Sequence, residues 1–200
     1  MQKISTSKRG AARLAWLLCA LSWLAIVAGL VLAIVIGPAQ PEEVSTFPEL
    51  LAGTASWAAF ATIGALIASR FPLNPVAWML CAAGIGGAFA TFAAEYAIYA
   101  LLAEPSSLPG GELMMSLQEW AWLPAMFVAT LVLLLFPDGR LPSSRWRPVA
   151  WLAVVGMIGV WIHELFSPGP LEGFPRENPF GLGGSAGQVA QALAVSYSLV

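Results

Sequence analysis

Six long apolar runs joined by short polar connections constrain this chain more than any other feature. They cover residues 11–36, 50–69, 76–103, 119–136, 148–166 and 186–200. About 20 helical residues, each rising 1.5 Å, cross the ~30 Å hydrocarbon core of a bilayer. The first five runs meet that length and the sixth offers only about fifteen residues. The expected fold is therefore all-α: a polytopic transmembrane bundle of five full helices plus a truncated sixth. Barrel strands would alternate lipid-facing and lumen-facing residues, whereas these runs are uniformly apolar. A water-soluble domain is excluded by composition, with 58% hydrophobic residues, 10% charged and a mean hydropathy of +0.77. A soluble surface needs about a quarter of the chain charged.

Charge sets the expected orientation. Lys3, Lys8, Arg9 and Arg13 precede the first run, Arg70 follows the second, and Arg140, Arg145 and Arg147 separate the fourth from the fifth. The intervening connections hold Glu42, Glu43, Glu49, Glu104, Glu112, Glu172 and Glu177, with Arg176 the only basic residue among them. Cytoplasmic loops collect Lys and Arg, so the amino terminus is expected in the cytoplasm. Residues 1–10 then form a basic cytoplasmic tail and 11–200 the membrane domain. The first run has the basic start of a signal peptide. At about 26 residues, however, it far exceeds a signal core, so it is expected to remain as an anchor. Once topology is accounted for, no basic patch large enough to hold nucleic acid is expected, and the expected partner is the lipid bilayer.

Smaller signals agree. Trp78, Trp120, Trp122, Trp146 and Trp151 lie at run starts, where interfacial rings are favoured, whereas Trp23 and Trp57 lie deeper and are expected to pack. Ala83 with Gly87 and Gly84 with Ala88 have the small-xxx-small spacing that lets helices approach closely in lipid; Gly53 with Trp57 breaks it. Cys19 and Cys81 lack metal-ligand spacing and are expected as small packing residues. Pro-Val-Ala-Trp occurs at 75–78 and again at 148–151, reflecting either a duplicated helix pair or proline's preference for a first helical turn.

The most individual stretch is Leu134-Leu135-Phe136-Pro137-Asp138-Gly139-Arg140-Leu141-Pro142-Ser143-Ser144-Arg145-Trp146-Arg147-Pro148. Pro137 ends a helix, Asp138-Gly139 suits a reversal, and Arg140, Arg145, Trp146 and Arg147 suit lipid headgroups. The wording resembles the amino-terminal membrane region of sensor histidine kinases of the actinobacterial type. Asn74-Pro75-Val76-Ala77-Trp78 and Asn178-Pro179-Phe180-Gly181-Leu182 are similar to two further phrases of that family, in the same order. The resemblance implies a multi-pass module in a bacterial plasma membrane, placed before cytoplasmic dimerisation and ATP-binding domains, with a response regulator and a homodimeric partner. None of the kinase's own motifs is present, and His163, the one histidine, lies near the outer end of the fifth run. Kinase activity is therefore expected only of sequence outside these 200 residues.

Among candidate site residues, Glu95 stands out, inside the third run with Tyr99 one turn away. An intramembrane carboxylate is costly and points to a proton, ion or ligand site; the structural alternative is a protonated or tyrosine-bonded Glu near the surface. His163 and Glu164 close the fifth run, and Gln188 and Gln191 open the sixth. Convergence of these ends near Glu95 would make a polar pocket facing outward; the alternative is ordinary interfacial polarity. Pro124 is expected to kink the fourth helix. Gly181-Leu182-Gly183-Gly184 lacks the lysine of a phosphate loop, and no zinc pattern, triad or cofactor motif appears. Two functions follow as expectations: a sensory input module for a cytoplasmic output domain, or a small transporter or channel component using Glu95.

Overall fold

A computed structural model describes residues 2–37, 47–103, 108–135, 139–141, 143–169, 178 and 180–182. They form α1 (Gln2–Ile36), α2 (Phe47–Arg70), α3 (Pro75–Ile98), α4 (Gly111–Ala121), α5 (Leu123–Leu135) and α6 (Arg147–Phe166). A π turn, Tyr99–Ala103, continues α3, and a 3-10 turn, Ser144–Trp146, leads into α6. Four stretches are long and apolar enough to cross a membrane: Arg9–Ile36, Phe47–Arg70, Pro75–Ala103 and Ser144–His163. The expected sixth helix, 186–200, lies outside the described residues.

The fourth expected helix is corrected. In place of one helix over 119–136, α4 and α5 meet at Trp122, whose carbonyl accepts from Ala125 N (3.0 Å) and Met126 N (3.2 Å). Pro124 has no N–H to donate, so an unbroken ladder cannot run through it. α4 also begins at Gly111, well before 119, because Glu112 and Gln118 lower the hydropathy of a helix that nevertheless buries Met115 and Ser116.

α3 is the hub. It packs against α1, α2, α4 and α5, whereas α6 rests on α4 and α5. Half of the most apolar window of α3 is buried, against 6% of that of α6. Lipid offers no hydrophobic drive to bring helices together, so association depends on close van der Waals fit. That fit is built from small residues. A Cβ on Gly84 would lie 2.5 Å from Ala61 N, and one on Gly64 2.6 Å from Cys81 N, so the backbones of α2 and α3 nearly touch. Trp57 fills the notch over Gly87, where a Cβ would come within 2.5 Å of its Cε3. Trp57 thus completes the small-residue seam that it was expected to interrupt, whereas Gly53 faces open space. These pairs run α2 antiparallel to α3. Gly29 against Phe92, and Ile26 clustered with Ala88, run α1 parallel to it. Cys19 and Cys81 are buried, free thiols in the cluster of Ala15, Ala61, Ala65, Ala68 and Ala77. Trp23 is half exposed and donates through Nε1 to Thr62 Oγ1 (3.2 Å).

Helix ends account for the three motif stretches. Asn74 caps α3 by accepting from Val76 N (2.9 Å), Pro75 opens the helix, and Trp78 Nε1 donates to Pro72 O (2.8 Å). Gly139 takes φ +71° and donates to Leu135 O (2.7 Å), a left-handed cap on α5. It also lies on the Pro75 ring, where a Cβ would sit 2.6 Å from Cδ, so the α2–α3 and α5–α6 turns meet. Asn178 Nδ2 donates to Leu165 O (3.2 Å) and Ser167 O (3.0 Å), satisfying carbonyls that α6 leaves open. Pro-Val-Ala-Trp marks two helix starts in different surroundings: Trp78 is half-buried and bonded, Trp151 68% exposed.

Candidate functional site

Among the described residues, the buried polar side chains are Ser22, Thr54, Glu95 and Ser116. The three hydroxyls satisfy themselves within their own helices, on the carbonyls of Leu18 (2.9 Å), Leu50 (2.9 Å) and Glu112 (3.0 Å). Glu95, 3% exposed, is therefore the one buried ionisable group in that set. It is engaged by neighbouring groups and is not an orphan. Burying a carboxylate is costly in any apolar medium, and more so inside lipid.

Its position follows from helical spacing. Glu95 lies one heptad beyond Ala88, which clusters with Ile26 of α1 and Ala58 of α2, so it continues the stripe of α3 that faces those two helices. Gly86, nine residues before it and about 180° around the helix, faces the Ala121 carbonyl where α4 and α5 meet. Along the axis, Glu95 stands ~30 Å from Pro75, toward the end at which α3 runs into the π turn. The backbone there is already irregular: Tyr99 N donates to both Glu95 O and Tyr96 O. π turns recur at functional sites because the extra residue re-aims the side chains around it. Tyr99 packs on a cluster of Ile36, Ala97, Ile98 and Met115. Tyr96 packs tilted against Phe92, ring centroids 5.8 Å apart, and donates its hydroxyl to Pro109 O (2.8 Å), tying α3 to the approach to α4.

Of the expected outward pocket, the residues with described side chains are Glu95, Tyr99 and His163. His163 is half-buried on α6, whose packing partners are α4 and α5. Glu164 is helical, but its side chain, like all of Gln188 and Gln191, lies outside the described residues. Among the described residues no three His, Cys, Asp or Glu side chains come together as a metal set. Between α5 and α6 lies instead an apolar cleft of about 460 Å³, lined by Trp122, Met126, Phe127, Met157, Ile158 and Trp161. The 3.6 periodicity gives no hint of it, because its lining is no more apolar than the lipid-facing side chains nearby.

At the opposite end from Glu95, the turn residues Arg140, Arg145, Trp146 and Arg147 are exposed; Asp138 lies outside the described residues. Sequence reasoning missed Tyr96, the π turn and the Gly139–Pro75 contact. The first had a signal in its position four residues after Phe92; the last had none, since it joins residues far apart in the chain. Comparison with protein-family profiles, curated proteins and solved structures gives no match.

Proposed function

We propose that the chain is a membrane-embedded sensory input module with its amino terminus in the cytoplasm of a bacterial cell, crossing the plasma membrane several times. It passes a cue from the outer face or the bilayer to a cytoplasmic output domain. By its resemblance to sensor histidine kinases, that output is a kinase domain acting on a response regulator, supplied by sequence beyond these 200 residues and working as a homodimer.

The observation that carries this proposal is unequal packing. α2 and α3 interlock through Gly64, Gly84 and Gly87, and α1 packs on α3 at Gly29, whereas α6 is tied near its ends, by the Gly139–Pro75 turn and the Asn178 cap, and spans an apolar cleft. A cue acts only by stabilising one of two arrangements, and a loosely packed helix on a rigid bundle is an element that can have two. The resemblance agrees, since its three phrases are the residues that cap α3, α5 and α6. Transport through Glu95 is the second reading, favoured by its burial. Against it, the other buried polar groups in the described residues are self-satisfied hydroxyls, which make no relay.

Two measurements on the full-length protein test the proposal. Single cysteines replacing Arg140 and Glu112, with Cys19 and Cys81 removed, should label from opposite sides of the membrane. Filling the cleft with Met157→Trp should lock the output in one state in a reporter strain. Labelling from one side refutes the topology; an unaltered response refutes a role for α6.

A further inference from the structure

Six arginines converge at one end of the bundle. Arg13 stands two residues before Ala15, and Arg70 two residues after Ala68; Ala15 and Ala68 share a buried cluster with Ala77 of α3. The Gly139–Pro75 contact brings Arg140, Arg145 and Arg147 to the same end, and Arg9 lies one turn before Arg13. All six are exposed, and among the described residues no acidic side chain pairs with them. A cluster of like charges without a paired acid among the described residues repels itself, and so favours an anionic ligand.

A second, independent feature says which anion. The turn that joins Arg70 to α3 presents Phe71 at 63% and Leu73 at 95% exposure, and Trp146 beside Arg145 is 44% exposed. Among the described residues none covers Leu73. Water is a poor neighbour for it, and so is a soluble polyphosphate or nucleic acid. An amphiphile offers phosphate to the guanidinium groups and hydrocarbon to Phe71 and Leu73 at one place. Arginine's planar fork also matches phosphate oxygens better than a lysine ammonium.

We propose that this end is a binding site for anionic phospholipids, with Arg70 and Arg140 holding headgroup phosphate across the Gly139–Pro75 contact while Phe71 and Leu73 sit among the upper acyl carbons. The site rests on membrane embedding and not on the sensory role, so its failure and that of the sensory reading are separable. Its consequence is regulatory: the lipid bridges the α2–α3 turn to the α5–α6 turn, so lipid charge biases the start of α6.

The test uses the purified chain in mixed micelles and in nanodiscs of phosphatidylglycerol and phosphatidylcholine, with retained lipid read by native mass spectrometry. The wild type should retain phosphatidylglycerol over phosphatidylcholine. R70Q/R140Q should lose that preference by about five-fold per arginine. R176Q, a charge control from a different connection, should keep it. Leu73→Ser, with every arginine intact, should weaken retention of the diacyl lipid. R70K/R140K retains the charge and guards against misfolding as the cause; it should fall between wild type and the glutamine pair. Equal retention by wild type and R70Q/R140Q overturns the proposal. So does full competition by inorganic polyphosphate, or by a short RNA, at matched charge, which would assign the arginines to a soluble anion.

Discussion

Gly139→Ala tests whether the two turns at the arginine-rich end are joined as described. Gly139 has φ +71°, and a Cβ there would meet the Pro75 ring, 2.6 Å from Cδ. Two costs follow from separate causes. An L-residue in the left-handed region loses about 1–2 kcal/mol to its own backbone. Driving a methyl into a ring that is anchored at the first turn of α3 adds the cost of overpacking, about 1–3 kcal/mol. The expected loss is about 3 kcal/mol, which for a chain of this length lowers Tm by about 6–12 °C. The assay is thermal unfolding in a non-denaturing detergent, followed by circular dichroism. Pro75→Ala in the Gly139→Ala background should restore the steric part alone, a coupling of about 1–3 kcal/mol in a double-mutant cycle. Gly139→Asn should be milder than an equally bulky β-branched residue, because Asn tolerates the left-handed region. Additivity of the Gly139 and Pro75 substitutions within about 0.5 kcal/mol would refute the contact.

Other outcomes follow from the same geometry. Gly84→Leu should separate α2 from α3, because the space for its side chain is held by the backbone and Cβ of Ala61; loss of a cysteine cross-link engineered between the two helices checks this. Asn178→Ala frees the Leu165 and Ser167 carbonyls and should cost about 1 kcal/mol, read as faster hydrogen exchange at the end of α6. Glu95→Gln should insert and fold normally while altering the response of a full-length reporter; an unchanged response would place Glu95 with the packing residues.

The sequence alone determined the helices and most of their ends. Bilayer thickness and the need to satisfy every backbone group act on each segment separately, so hydropathy locates α2, α3 with its π turn, and α6 to within a few residues, and the end of α1. α1 itself begins at Gln2, nine residues before the apolar run, because hydropathy does not register a helix that continues through the basic tail. Asn74-Pro75 and the Gly139 turn are legible for the same reason, since capping is local. Tertiary structure decided which face of each helix meets another. In a chain whose lipid-facing and buried faces are both apolar, periodicity carries no contrast, so nothing in the order of residues shows that Trp57 fills the notch at Gly87 or that the stripe carrying Glu95 faces α1 and α2. The break at Trp122 lay between the two: Pro124 announced it, but only the contacts of Met115 and Ser116 with the rest of the bundle carried α4 back to Gly111. Steric fit at a few glycines, a non-local property, made those choices.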